Sequence, residues 1–306
     1  MKMFDEENMM KELYADFIKA LEDYSPVEGL RESPVEGVYS AKYSHTAGYS
    51  KRPWRASLAI IAQGRKEVVL ENEIFCCDAA HYTATPIPLP VVSRVAQASP
   101  DKPFLGILIE LEPDIINEVA RQIEDASGEE SSSPVRAIYS GKANRKMLAA
   151  ATRLTKLFRA ETEESHFLAP LIIKELFYYL LKGKEGAAIR QYVQADSKMQ
   201  KISQAVYSLK TELDKEINIA ELSKTAQMSR SAFFKYFKEV TALSPIQFQK
   251  RLRLLEAKRL MLETGETAER SGYHVGYKSA SQFSREYSRM FGSAPALDAK
   301  KSREDL

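Results

Sequence analysis

The chain has 306 residues, 44% of them apolar, and 44 Lys/Arg against 42 Asp/Glu leave a formal net charge of +2. That length holds two domains of ordinary size, and that apolar content argues for a globular chain throughout. Two cysteines, adjacent at Cys76 and Cys77, exclude a disulfide framework and fit a reducing compartment. No run reaches the about eighteen apolar residues that cross a bilayer, and the opening "MKMFDEENMMKELYADF" lacks the layout of a secretory signal. The expected setting is soluble and cytoplasmic.

Leu13, Phe17, Ile18 and Leu21 share one helical face, which predicts a helix within residues 5–23. The string "SPVEG" then occurs at Ser25–Gly29 and again at Ser33–Gly37, and its Ser-Pro and Glu-Gly chemistry predicts two successive turns. From Val38 to Leu111 the pattern is short and extended, with strands expected at "SLAIIAQ", "KEVVL", "EIFCC", "HYTAT", "VVSRVAQA" and "FLGILIELE". Turns such as "QGRK", "LENE", "CDAA" and "SPDKP" separate them, which points to an antiparallel sandwich or barrel. Helix is expected over 113–123, a polar loop at "DASGEESSSP", and two further helices over 144–160 and 165–182. "KGKEGAAIRQYVQADS" reads as a link.

Beyond the link the charge changes sign. Residues 196–306 carry net +6 and residues 1–195 net −4, which suggests a polyanion partner for one domain only. Ile202, Ala205, Val206, Leu209 and Leu213 mark a helix, and "INIAELSKTAQMS" supplies a second short helix and a tight turn. "SRSAFFKYFKEVTALSP", Ser229–Pro245, is then written a second time as "SASQFSREYSRMFGSAP", Ser279–Pro295. In each copy a serine N-cap is followed by aromatics at i+4 and i+8, with a cation between them turned away from that face. Each is a short amphipathic helix with a basic exposed side, preceded by a short helix and a turn, which is the helix-turn-helix pattern. Between the copies, Ser244 as N-cap and Pro245 as first helical residue open a connecting helix over 245–262. Its length of roughly 27 Å is comparable with the roughly 34 Å between successive major-groove segments on one face of DNA.

These residues resemble the AraC/XylS-type transcriptional regulators, through "LSKTAQMSRSAFFKYFK", "SPIQFQKRLRLLEAKRLML" and above all "VGYKSASQFSREYSRMFGSAP". In the last string Gly276-Tyr277, Ser281, Phe283, Arg285, Phe291-Gly292 and Pro295 stand in the family's order. "AQGRKEVVL", "HYTATPIPLPV" and "ASPDKPFLGILIELEP" resemble the arm of that family whose sensor is a cupin-like jelly roll. The resemblance implies an α+β two-domain fold. Residues 1–183 form a cupin-like antiparallel β jelly roll with flanking helices, 184–197 a linker, and 198–306 an all-α double helix-turn-helix. It also implies a sequence-specific DNA-binding transcriptional regulator of the bacterial cytoplasm, nucleoid-associated and responsive to a small-molecule effector. Its partners would be double-stranded promoter DNA and RNA polymerase, with a homodimer as a possible assembly and no membrane. No reaction, cofactor or metal is expected. The alternatives are a cupin-like enzyme with an accessory DNA-binding domain, and a constitutive DNA binder whose barrel serves only assembly.

Arg285 matches the family's base-reading arginine and Lys235 is its counterpart in the first copy. Arg230, Lys238 and Arg289 are expected as phosphate clamps. Ser231, Ser281 and Ser284 share the same side, Ser229 and Ala280 stand at the helix starts, and Phe234 can meet a thymine methyl. The spacing of Phe233, Phe237, Phe283 and Tyr287 makes them core rather than base-stacking residues. Lys250, Arg251, Arg253, Lys258 and Arg259 read as a solvated face with one or two phosphate contacts.

In the sensor, Trp54, Cys77, His81 and Tyr82 are the candidates to line an effector pocket, against the reading that they fill the barrel. With four histidines in the chain and His81 isolated among the strands, no metal site is expected. Strand alternation keeps Cys76 and Cys77 on opposite faces, and the match to the family's strand puts Phe75 and Cys77 inward. Cys77 is then either an inert filler or a thiolate that meets an electrophilic effector. The family has apolar residues where this chain has Ser271 and Gly272. Because mid-helix glycine costs about 1 kcal/mol relative to alanine, Gly272→Ala is expected to stabilise.

Overall fold

The apolar stripe of the first helix is satisfied in the computed structural model, which describes residues 2–24, 27–46, 50–71, 73–123, 137–194 and 197–304. Helix α1 (Lys2–Tyr24) buries Phe17, Ala20 and Leu21, with Leu13 and Ile18 half-buried at the margins of the stripe. The second "SPVEG" is a turn: Val38 N–H donates to the Val35 carbonyl (3.1 Å), and Gly37 takes φ +72°. Ser25 and Pro26 of the first copy, and the expected loop "DASGEESSSP", lie outside the described residues.

Strands follow as β1 (Gly29–Glu32), β2 (Val38–Tyr43), β3 (Ser50–Trp54), β4 (Ser57–Gln63), β5 (Arg65–Leu70), β6 (Glu73–Asp78), β7 (His81–Thr85), β8 (Leu89–Gln97) and β9 (Phe104–Glu110). Then come α2 (Pro113–Gln122), β10 (Tyr139–Lys142), α3 (Arg145–Lys156) with a 3-10 turn at Leu157–Arg159, α4 (Thr162–Lys182) and α5 (Gly186–Arg190). The six expected strands are β4 to β9. The pattern missed β1, β2, β3 and β10, of which β1 and β10 are four-residue strands with no apolar alternation. The strands form two sheets, ordered β1-β2-β9-β4-β7-β10 and β3-β8-β5-β6. In the first sheet the pairings are antiparallel.

That first sheet has two unlike faces. Register puts Leu58, Ile60, Tyr82, Ala84, Ile107 and Ile109 side by side on one of them, all buried. The Tyr82 ring leaves this face toward Gly141 and Gly183: a methyl at Gly141 would sit 2.7 Å from its hydroxyl, one at Gly183 3.6 Å from it. Helix α1 packs on β4 and β9, and α3 packs on α1 and α4; their Phe17, Leu21, Leu148, Leu154, Leu176, Phe177 and Leu180 are completely buried. On the other face the Thr83 hydroxyl donates to Cys77 Sγ (3.0 Å), which puts β6 there. This side carries Ser57, Ala59, Thr83 and Thr85, small or hydroxyl-bearing, and Ala59 and Leu108 stay only half-buried on central strands.

After α5 the chain is helical: α6 (Lys198–Thr211), α7 (Ile219–Thr225), α8 (Arg230–Thr241), α9 (Pro245–Arg259) widened into a π turn at Leu260–Thr264, α10 (Ala268–His274), α11 (Ala280–Phe291) and α12 (Pro295–Glu304). Backbone packing divides the chain into two units, one of Met1–Ser50, Arg55–Ile87 and Ser93–Gln200, the other of Lys51–Trp54, Pro88–Val92 and Lys201–Leu306. No described helix is long and apolar enough to cross a membrane.

The segment read as a link is held tightly. It contains α5, and Ala188, Ile189 and Tyr192 are buried. The Tyr192 ring stands edge-on to Tyr139, 6.3 Å between centroids, and burial raises its pKa well above the ordinary value. Arg190 donates to the Leu181 carbonyl (2.7 Å), and a methyl at Gly186 would fall on that same carbonyl. Gly186→Ala should therefore cost about 1–3 kcal/mol, while Ala at the exposed Lys184 stays within about 0.5 kcal/mol. Calorimetric melting of both variants checks this, with a lower Tm expected for Gly186→Ala alone.

Candidate nucleic-acid interface

The C-terminal repeat is structural as well as textual, with one residue of slippage. Asn218 caps α7 and Thr267 caps α10, each accepting from the backbone N–H three residues on. The turns that follow match bond for bond: Met228 N–H donates to Ser223 O (2.9 Å) as Tyr277 N–H does to Gly272 O (3.0 Å), and Gln227 to Lys224 O as Gly276 to Tyr273 O. Gln227 and Gly276 both take positive φ, +51° and +90°. Up to here the copies are offset by 49 residues, whereas Ser229 and Ser279, the caps of α8 and α11, are 50 apart. Lys278 is the extra residue, between turn and helix. The offset of 50 continues to Pro245 and Pro295, which open α9 and α12. Helix α12 was not expected, although "SAP" after the second copy answers the "LSP" that opens α9.

Aromatics phase the two helices. Phe233 and Phe237 on α8, and Phe283 and Tyr287 on α11, are buried as their spacing predicts. Phe237 stands perpendicular to Phe248 of α9 at 5.4 Å, and Phe283 lies 5.3 Å from Tyr277 and 5.5 Å from Tyr287. With that side fixed inward, Ser229, Arg230, Ser231, Phe234, Lys235 and Lys238 are exposed on α8, and Ser281, Arg285 and Arg289 on α11, with Ala280 and Ser284 half-buried. Arg230, Lys238, Arg285 and Arg289 have no ion-pair partner among the described residues. Lys235 Nζ lies 3.9 Å from Glu239, a loose surface pair. Ser229 is committed to its helix, since its hydroxyl accepts from Ala232 N–H and lies 3.2 Å from the Ser231 hydroxyl. Phe234 is 37% exposed on this charged surface.

The connecting cations depart in part from the expected solvated face: Lys250 is exposed, but Lys258 and Arg253 are largely engaged within the domain. Lys250 pairs with Glu286 (2.8 Å), Lys258 with Asp298 (2.7 Å), and Arg259 with Glu256 and Glu263 on its own helix. Glu286 and Asp298 also accept the hydroxyls of Tyr277 (2.8 Å) and Tyr287 (2.7 Å). Burial would raise the Glu286 pKa, but hydrogen bonds from Lys250, Tyr277 and Gln282 hold it below the ordinary value. Arg253 donates to the carbonyls of Leu213, Lys215 and Gly276, joining the loop after α6 and the second turn to α9. Burial lowers its pKa, opposed by nearby Tyr277, Asp214, Glu216 and Glu286. The missing signal was partner identity: an Arg that binds carbonyls looks the same in sequence as one that faces water.

The sensor candidates do not converge. Cys77 is buried on the sandwich side with Thr83, and Tyr82 points to the opposite face. His81 is half-exposed with Nδ1 3.2 Å from the Ala79 carbonyl, and Trp54 is half-exposed on β3. As expected from alternation, Cys76 is exposed. Burial raises the Cys77 pKa, and the Thr83 hydrogen bond and Lys66 oppose this only in part. An open depression of about 270 Å³ lies elsewhere, lined by Glu22, Lys42, Ser44, Pro100, Asp101, Pro103 and Leu105. Among the described residues no three His, Cys, Asp or Glu side chains gather as a metal site. Sequence reasoning passed over Ser57, Thr83 and Thr85, though alternation in "SLAIIAQ" and "HYTAT" puts all three on the sandwich side.

The family described as AraC-type transcriptional regulator N-terminus matches residues 34–188, more than half of the chain. The chain belongs to this family of AraC-type transcriptional regulators. A helix-turn-helix domain matches residues 222–299. The probable transcriptional regulator LumQ of Photobacterium leiognathi is 35% identical over 83 residues, 27% of this chain and 34% of that protein. The lactose operon transcription activator of Staphylococcus xylosus is 28% identical over 133 residues, 43% of this chain and 48% of that protein. The chain thus spans less than half the length of the curated relatives it matches. Among solved structures, an apo form of a ToxT point variant from Vibrio cholerae gives a TM-score of 0.58 at 13% identity, covering 88% of this chain and 98% of that one. Wild-type ToxT bound to an unsaturated fatty acid gives 0.55 at 14%, covering 86% and 93%. At such identity the likeness shows the fold: an antiparallel β domain followed by a helical helix-turn-helix domain.

Within the helix-turn-helix domain the packing argues against the expectation for Gly272. A methyl there would sit 2.9 Å from Cγ and 3.3 Å from Cβ of Phe283, a ring fixed in the core. The glycine lets α10 lie close on α11, and Ser271 beside it is fully buried with its hydroxyl toward Glu266 (3.3 Å). Gly272→Ala should lower the Tm, with a cost of about 1–3 kcal/mol from overpacking outweighing about 1 kcal/mol of helix propensity. For the cysteines, iodoacetamide on the folded protein should alkylate Cys76 and spare Cys77 until denaturant is added, as peptide mass spectrometry would read.

Proposed function

We propose that the chain is a transcriptional regulator that binds double-stranded promoter DNA through α8 and α11 in successive major-groove segments. The observation that carries this reading is the repeated turn: it twice sets a buried aromatic pair beneath an exposed basic face. In this reading Arg285 and Lys235 meet base edges, while Arg230, Lys238 and Arg289 hold phosphates. Ser231, Ser281 and Ser284 lie beside them, and Phe234 supplies an apolar contact for a thymine methyl. Residues 198–306 act as the DNA-binding domain and 1–183 as the sensor, joined by 184–197. The reaction-free output is recruitment or obstruction of RNA polymerase in the bacterial cytoplasm, with a homodimer as the assembly.

The sensor takes a small-molecule effector. Two observations support this: the hydroxyls of Ser57, Thr83 and Thr85 on the inner face of the first sheet, beside half-buried Ala59 and Leu108, and the unsaturated fatty acid held by ToxT, which has the same fold.

Enrichment of random duplexes on the purified chain tests the reading. Arg285→Ala should cost about 1–3 kcal/mol and relax one base position, whereas Lys238→Ala should weaken all sequences alike and reduce the salt slope by about one. An unchanged motif for Arg285→Ala would remove it as a base reader, and no recovered motif would sink the reading.

A further inference from the structure

We infer that the depression between the end of α1 and strands β2 and β9 is a second small-molecule site, built for an amino acid with a cationic side chain. Lys42 of β2 and Leu105 of β9 are paired, and alternation puts them on the helix-side face with Ile107 and Ile109. The site is therefore on the opposite side of the first sheet from Ser57, Thr83 and Thr85. At about 270 Å³ it falls just short of the roughly 300 Å³ at which sites for drug-sized ligands begin, so its occupant is small.

Three charged side chains line it: Glu22 from the last turn of α1, half-buried Lys42 from β2, and Asp101 from the turn before β9. None of the three has an ion-pair or hydrogen-bond partner among the described residues. Opposite charges that share one depression without pairing are held apart by its walls, and those walls are fixed. Ser99 and Lys102 exchange backbone hydrogen bonds across Pro100 and Asp101 (3.0 and 3.1 Å), and Gln63 donates to the Pro103 carbonyl (2.8 Å). Ser44 donates to both carboxylate oxygens of Glu28, from its N–H (2.7 Å) and its hydroxyl (3.0 Å).

Charge selects the occupant. One ammonium and two carboxylates are matched by one carboxylate and two ammoniums, the charge set of lysine and like diamino acids, with the methylenes against buried Pro103 and Leu105. A diamine would meet Lys42 with a like charge, and a simple carboxylic acid would meet Glu22 and Asp101 with one. Ser40, the next residue of β2 on that face, is fully buried and its hydroxyl has no partner among the described residues. A hydroxyl left so is costly, and a carboxylate held at Lys42 brings it an acceptor.

The inference rests neither on DNA contact nor on an effector at the inner face. Calorimetric titration of L-lysine into the full chain without DNA tests it. Saturable one-to-one binding is expected. Norleucine, which lacks the side-chain ammonium, and cadaverine, which lacks the carboxylate, should each bind at least about tenfold more weakly. Lys42→Met should weaken lysine binding by about tenfold and leave cadaverine no weaker. Glu22→Gln and Asp101→Asn should each weaken lysine binding, and all three variants should melt as the wild type does. Thr83→Val, on the other face, should bind lysine unchanged. No saturable heat with lysine at millimolar concentration would overturn the inference. So would equal affinity for norleucine, or a Lys42→Met variant that binds lysine as the wild type does. Loss of lysine binding in a Thr83→Val variant of unchanged melting would also overturn it, by moving the ligand to the inner face.

Discussion

Burial of an aromatic pair one helical turn apart, Phe233 with Phe237 and Phe283 with Tyr287, governs the C-terminal domain. Once those rings are inward, the rotation of α8 and α11 about their axes is fixed, and the basic side chains between them have only the outer side left. The second pair carries a hydroxyl where the first has none, and a buried hydroxyl needs a partner. Tyr287 finds Asp298 and Tyr277 finds Glu286, and each carboxylate then draws a lysine from the connecting helix, Lys258 and Lys250. The polar network is thus a consequence of how the second aromatic set is built, and it explains why Lys250 and Lys258 of α9 are held by carboxylates.

The N-terminal domain gives the two faces of its first sheet different work. Aliphatic side chains on one face take the helices and supply the tightly packed core. The opposite face carries the buried hydroxyls of Ser57, Thr83 and Thr85 beside Ala59 and Leu108. Tyr82 belongs with the aliphatic face, where its ring reaches Gly183 and lies against Gly141, at which any side chain would obstruct it.

What could be read from the sequence follows from how local each signal is. The strands β4 to β9 announce themselves by alternation, and the doubled helix by its repeated serines and aromatics. Short edge strands such as β1 and β10 carry no alternation of their own and exist because a neighbour offers free carbonyls and amides. Gly272 misled for a related reason. Its helix propensity is a local quantity, but its value lies in contact with Phe283, eleven residues on and in another helix. Arg253 and Lys258 were legible as charges and illegible as staples, because their partners are brought near only by the fold. Among the sensor candidates the chemistry of each side chain was plain, but strand parity put Cys77 and Tyr82 on opposite faces of the domain core.

The guanidinium of Arg253 bridges three backbone carbonyls, and Gly276 lies so close to Asp214 that a side chain there would not fit. The second turn is therefore pinned to the loop after α6 by main chain as well as by the shared helix, and the two repeats have little freedom to shift against each other. On the proposed reading, in which α8 and α11 enter successive grooves, a duplex whose groove spacing differs from theirs has to supply the adjustment itself by twisting or bending. The energy of that distortion depends on the steps being distorted. Base pairs lying between the two contacted grooves, beyond the reach of any side chain, would then be chosen for their flexibility.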